Sequence, residues 1–195
     1  MRIIAGEKRG LKLLCPDTKD TRPVTDRIKE SLFNVLRSRD LLVGRRVADL
    51  FCGVGSLGLE ALSRGAQFAT FVEQDPKIAA YLDKNITKSG FVAQSKVVRA
   101  NAFRVGAPAA GVGEPKYDLV FVDPPYARTR EVGPDSLLDQ LMGVLSRQVA
   151  EQGIAIVRVE RGVDLLDTYG AFDAIDRRNW GSMTLVQYQV RGHDE

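Results

Sequence analysis

The sequence predicts an α/β fold built on a mostly parallel sheet, with a small N-terminal β-hairpin/helix extension and an antiparallel C-terminal hairpin. Three observations carry this reading. After residue 46, apolar runs of strand length alternate with longer helical segments, the pattern of βαβ crossovers. Gly53, Gly55 and Gly58 stand in G-x-G-x-x-G spacing between the first run and the next helix. The last two runs flank the turn-like "NWGS" (179–182), and the second of them alternates through Leu185, Val186, Gln187, Tyr188, Gln189 and Val190.

In chain order, Arg2–Ala5 and Leu11–Leu14 pair through "GEKRG", and Thr25–Leu36 forms a helix with Ile28, Leu32, Val35 and Leu36 on one face. Arg46–Leu50 is the first strand of the main sheet. Ser56–Arg64 stacks Leu57, Leu59, Ala61 and Leu62 and stops at Gly65, a favourable residue just past a helix end. Phe68–Val72 is the second strand. Asp75 caps a helix with Pro76 in its first turn, running to about Ser89 and Gly90. Lys96–Arg99 and Tyr117–Val122 are strands, separated by a Gly/Ala/Pro loop at 106–115. Ser136–Glu151 is a helix, Ile154–Val159 a strand, and Phe172–Arg178 with Thr184–Val190 the closing hairpin.

With 195 residues, 44% hydrophobic and 27% charged, the chain suits one globular domain with a short appendage. No run approaches the roughly 18–20 apolar residues of a membrane span, and the N-terminus lacks the apolar stretch of a secretory signal. Cys15 and Cys52 lie far apart without metal-type spacing, so neither a disulfide framework nor a metal site is expected, and a cytoplasmic setting fits. The net charge is +3, but residues 1–46 hold twelve Lys/Arg against six acids. Arg2, Lys8, Arg9, Lys12 and Arg22 are therefore candidates for phosphate contact, since basic clusters position a nucleic acid. A merely solvated basic surface is the plainer alternative.

The glycine loop lets the backbone turn sharply and a ligand approach closely. Glu73, twenty residues past Gly53, ends the second strand, where a carboxylate accepts hydrogen bonds from ribose hydroxyls. This Rossmann-like pair points to an adenosine-bearing cofactor, either a dinucleotide or S-adenosylmethionine. Asp49, four residues before Gly53, would repel a pyrophosphate but suits a ligand carrying an ammonium and a sulfonium. A turn that binds no ligand is the alternative.

The strand Tyr117–Val122 runs into "DPPY", Asp123 to Tyr126. Placed beside the first strand, this loop lies in the ligand crevice at the carboxyl ends. Its prolines remove N–H donors, leaving an acceptor surface. The Asp123 carboxylate and the Pro124 carbonyl suit the two hydrogens of an exocyclic base amine, and Tyr126 offers a face for stacking. Transfer would then need positioning and electrostatics, with no metal.

"DLFCGVGSLG", "VEQD" and "DPPY" resemble the motifs of class I S-adenosylmethionine-dependent methyltransferases. "MRIIAGEKRGLKL", "TRPVTDRIKESLFNVL" and "LGLEALSRGA" resemble the bacterial 16S rRNA guanine-N2 methyltransferase D family, over nearly the whole chain. The resemblance implies a seven-stranded sheet with a reversed last strand and methylation of a guanine amine in small-subunit ribosomal RNA, as free rRNA or, as the family favours, in an assembled particle. It places Asp49, Gly53, Gly55 and Gly58 around the methionyl part, Glu73 at the ribose and Asn101–Ala102 beside the adenine, and Gln74 is counted with these cofactor-binding residues. The chain as a whole is read as a monomer with a basic RNA-contacting extension, residues 1–40, ahead of a methyltransferase domain, 41–195. Asn101 replaces a frequent Asp, and Trp180 is expected in the core. Thr25, Arg27, Glu30 and Asn34 fall on a helix that the resemblance folds over the cofactor. His193, the one histidine, stands in the C-terminal tail, away from any chemistry. Three alternatives stand beside this reading: a DNA adenine-N6 methyltransferase, a nicotinamide-dependent oxidoreductase, and a non-catalytic RNA-binding or assembly protein.

Overall fold

The structure, a computed structural model of the chain, describes residues 1–16, 25–109 and 113–192. These form one sheet of eight strands: β1 Arg46–Leu50, β2 Phe68–Val72, β3 Ser95–Val98, β4 Tyr117–Val122, β5 Val149–Glu160, β6 Thr168–Tyr169, β7 Phe172–Trp180 and β8 Met183–Val190. Their spatial order is β3-β2-β1-β4-β5-β8-β7-β6. The first five pair in parallel, β8 runs antiparallel against β5, and β7 pairs antiparallel with β8. The order reverses between β1 and β4, which opens a crevice at their carboxyl ends.

The helices are α1 Asp26–Ser38, α2 Ser56–Ser63, α3 Pro76–Ser89, α4 Ala102–Val105 and α5 Leu137–Leu145. Local chemistry sets several of their ends. The Thr25 side chain accepts from the Ile28 N–H, and Asp75 accepts from the N–H groups of Lys77 (2.7 Å) and Ile78 (3.2 Å). Gly90, at φ 77°, closes α3 in the left-handed conformation.

The central strands are buried on both faces, as parallel sheets require. Alternate residues divide between two cores. Leu119, Phe121 and Ile156 pack with Phe33, Leu36 and Leu59 on the side of α1 and α2, while Val120, Val122 and Val157 pack with Leu141 and Met142 of α5 on the other. Trp180 is partly buried against the first core.

Several boundaries differ from the sequence expectation. The apolar period runs on past Leu145 to Val149, yet Val149 pairs with Tyr117 as the start of β5. Gln148 causes the break. Its side chain takes the Ala107 N–H (2.7 Å) and donates to the Val105 carbonyl (3.0 Å), and its own carbonyl takes the Tyr117 N–H. The seven-stranded expectation gains β6, a two-residue edge strand against Phe172 and Asp173. The N-terminal hairpin is short. One bridge, Arg2 with Lys12, is flanked by bonds from Ile3 N–H to Leu11 C=O (2.9 Å) and from Leu13 N–H to Met1 C=O (3.1 Å).

This hairpin is held by a buried carboxylate. Glu60 on α2 is fully buried and accepts from the N–H groups of Ile4 (2.8 Å) and Ala5 (3.1 Å) and from Arg64 Nε (2.8 Å). Lys29 on α1, also buried, places its Nζ 3.2 Å from the same carboxylate and donates to the Arg2 carbonyl (2.6 Å) and Ser56 Oγ (3.3 Å). Burial lowers the Lys29 pKa, and Glu60 opposes that shift. Breaking a buried pair strands a charge and costs about 3–5 kcal/mol. For a domain of this size, Glu60→Gln is therefore expected to lower Tm by about 6–20 °C, as read by calorimetry. A loss under about 2 °C would show that the clamp adds little stability.

Candidate active site at the carboxyl ends of the parallel strands

The crossover from β1 to α2 builds the first wall. Gly53 (φ 56°) and Gly55 (φ 88°) both adopt left-handed backbone, and the three loop glycines separate by role. A Cβ on Gly55 would lie 2.5 Å from Leu82 Cδ1, and one on Gly58 2.3 Å from Phe71 Cε1. At Gly53 there is open space within 4 Å. Gly53 therefore lines the cleft, while Gly55 makes room for Leu82 of α3 and Gly58 lets α2 close on Phe71 of the sheet.

Asp49 ends β1 almost fully buried, and its Oδ2 accepts the Gly58 N–H at 2.8 Å. Burial pushes its carboxyl well above the usual range; the Gly58 bond opposes this, and the nearby Asp123 and Glu73 charges add to it. Glu73, after β2, accepts from Gly53 N–H (3.0 Å) and Asp75 N–H (2.8 Å). Each carboxylate keeps lone pairs to spare. Gln74 stands exposed at the rim.

Ala100 and Ala102 line the cleft, whereas Asn101 turns to cap α4, its Oδ1 accepting the Phe103 N–H at 3.0 Å. Phe103 meets Phe51 with ring centroids 4.7 Å apart. Cys52 is a buried free thiol whose pKa burial pushes well up.

β4 delivers the second wall. Asp123, Pro124, Pro125 and Tyr126 line the same cleft as Asp49, Gly53 and Glu73. The Pro125 carbonyl is engaged by the Arg128 N–H (2.8 Å), while no described residue donates to that of Pro124. Asp123 is ion-paired to Arg158 Nε, and the Arg158 guanidinium sits 5.8 Å from the Tyr126 ring centroid. Burial raises the Asp123 pKa and Arg158 opposes the shift. The cleft encloses about 700 Å³, within the range of small-molecule sites. Met1, Cys15 and Pro16 contribute to its rim, so the N-terminal segment is part of the wall.

The sequence reading did not single out Arg158. The signal was a charge inside the apolar strand "IAIVRVE", near its carboxyl end. Nor did it single out Lys29 and Glu60, charges set within apolar helical stripes. Of the basic candidates, Arg2 pairs with Asp26 (2.7 Å), and Lys8 pairs with Glu7 (2.6 Å) while leaning on Phe91. Arg9 and Lys12 are exposed, and Arg22 and His193 lie outside the described residues. Among the described residues, no helix is long and apolar enough to cross a membrane.

The family described as Conserved hypothetical protein 95 matches residues 1–189. The chain is 39% identical to ribosomal RNA small subunit methyltransferase D of Escherichia coli, over 84% of this chain and 76% of that one. It is 32% identical to YlbH of Bacillus subtilis, over 98% of this chain and all of the relative. The solved structure of Escherichia coli yhhF superposes with a TM-score of 0.80 at 32% identity, covering 98% of both chains. Together with the sheet order and the shared cleft, these likenesses mean that the chain belongs to the Conserved hypothetical protein 95 family, that of the RsmD-like methyltransferases, on the class I methyltransferase fold.

Proposed function

We propose that the chain transfers a methyl group from S-adenosylmethionine to the exocyclic N2 of a guanine in 16S ribosomal RNA of the small subunit. One observation carries this reading: an acid-rich glycine-loop wall and an Asp-Pro-Pro-Tyr wall line a single cleft. Membership of the family sets aside the nicotinamide-dependent alternative, and rRNA methylation is the activity named for the Escherichia coli relative.

The methyl donor is S-adenosylmethionine, which when bound supplies an electrophilic methyl on a cationic sulfur. The residues present fit it: Gly53 leaves room for close approach, Asp49 is a buried carboxyl whose ionised form a ligand ammonium would favour, and Glu73 retains acceptor capacity for ribose hydroxyls. Gln74 and the strand-end pair Asn101–Ala102 complete the proposed adenosine side. With Asn101 Oδ1 engaged at the helix cap, its NH2 group is the part left for the base.

Toward the acceptor, Asp123 and the Pro124 carbonyl take the two amine hydrogens. This localises the nitrogen lone pair and aims it across the cleft, and Tyr126 supports the base by stacking. The proton released from the amine passes to Asp123. In this reading Arg2, Lys8, Arg9, Lys12 and Arg22, in the extension 1–40, meet RNA phosphates and position the RNA against domain 41–195. The protein acts as a cytoplasmic monomer on rRNA within the small-subunit particle.

The test is transfer of labelled methyl to unmodified small subunits, free rRNA and duplex DNA. Label recovered as N2-methylguanosine in rRNA is expected; label only in DNA as N6-methyladenine would overturn the substrate. Asp123→Ala should lower kcat by roughly 10²–10⁴-fold, with cofactor affinity nearly intact by calorimetry. Asp49→Asn keeps an acceptor for the Gly58 N–H but removes the charge, and should weaken the cofactor about 10–100-fold. The sign of its stability effect follows from linkage. The wild-type carboxyl, raised in the fold, favours folding below its unfolded value of about 3.9 and loses that contribution as pH rises through the folded pKa. The Tm of Asp49→Asn should therefore gain on wild type from acid to alkaline buffer; a pH-independent difference would contradict the buried-charge account.

A further inference from the structure

We propose that Arg158 is a positioning residue for the amine-binding loop, its guanidinium holding the Asp123 carboxylate as a charged acceptor in one orientation and backing the Tyr126 ring. This rests on the transfer reading above and goes beyond it by assigning a role to a residue on β5.

The sheet register places the pair. Val122 of β4 lies opposite Val157 of β5, so Asp123 and Arg158 follow side by side on neighbouring parallel strands. Val122 and Val157 belong to the α5-side core, and alternation turns the next residue on each strand to the opposite face. That face is otherwise apolar: Ile28 and Leu32 of α1 and Met183 and Leu185 of β8 border a small gap shared with Asp123 and Arg158. The two side chains are 17% and 14% exposed and joined through Arg158 Nε. Among the described residues lining the cleft, Arg158 is the one basic side chain.

A protonated Asp123 would present a hydroxyl to the amine and lose acceptor capacity. The surroundings favour that neutral form. Burial raises the Asp123 pKa, the Asp49 and Glu73 carboxyls share its cleft, and the α1 and β8 residues bordering the gap, Ile28, Leu32, Met183 and Leu185, are uncharged. Arg158 is the opposing group, and a guanidinium keeps its charge throughout the accessible pH range. Its Nε reaches Asp123, while its buried Nη1 makes no hydrogen bond among the described residues.

The test compares R158M, R158Q and R158K with wild type by two readouts. Carbon-13 NMR of the aspartate carboxyls, with D123N to assign the resonance, needs no turnover. In R158M and R158Q the Asp123 resonance should titrate about 1–3 pH units higher, and in R158K close to wild type. An unchanged titration in either neutral variant overturns the proposal. In methyl transfer, the acid limb of kcat should move the same way. At pH 7 the neutral variants should be about 10–100-fold slower, recovering in alkaline buffer, with cofactor affinity within about twofold. A loss equal at every pH also overturns it. R158Q carries the test if R158M does not fold. Should wild type methylate no RNA, the transfer reading fails by itself, while the titration still decides the pair.

Discussion

An anion shut away from water must be answered from every side, and Glu60 is the anion around which the N-terminal half of the molecule closes. Four donors reach it: two peptide N–H groups of the hairpin, the Lys29 ammonium of α1 and the guanidinium of Arg64, which caps the carboxyl end of α2. None of these groups is useful without the others, because removing the carboxylate leaves a buried ammonium and removing the ammonium leaves the anion underpaired. Lys29 also donates to Ser56, which opens α2 and lines the cleft. Asn85 of α3 makes a parallel link. It exchanges both hydrogen bonds with the backbone of Leu14 and donates to the Val54 carbonyl in the glycine loop. The N-terminal segment and the glycine-loop wall of the cleft are thus tied by two buried polar bridges, so order in one is order in the other.

The carboxyl ends of the parallel strands gather charge for a different purpose. Asp49, Glu73 and Asp123 converge on one cleft, and their compensation differs. Asp49 and Glu73 accept backbone N–H groups of α2, the glycine loop and the following turn, dipoles that bring no positive charge. Asp123 faces a full cation. In the proposed reaction this suits the two jobs. The first pair must attract a cationic, hydroxyl-bearing ligand, whereas Asp123 must stay an oriented acceptor beside a neutral base.

The sequence made much of this legible where one local cause dominates. The runs at 46–50, 68–72 and 117–122 are mostly apolar and of strand length, and became central strands residue for residue. Asp75–Pro76 and Gly90 bounded α3 because capping needs only neighbours in the chain. The helix from Ser136 was overrun because Val149 keeps the helical period, and only pairing with Tyr117 converts it to strand. Asn101 shows the same limit: its type suits a base contact, but its carbonyl oxygen is spent on capping α4.

By itself, then, the sequence determined the alternation of strands and helices, the place of the glycine turn, and the acid and Asp-Pro-Pro-Tyr loops at strand ends, since these depend on residue type and short spacing. Tertiary structure alone decided which glycine lines the cleft, that Met1 and Cys15 belong to its rim, and that Lys29 meets Glu60 and Arg158 meets Asp123. Those partners stand 31 and 35 residues apart in the chain. Only the register of the sheet and the docking of α1 bring their charges within hydrogen-bonding reach, and burial there gives each pairing its strength.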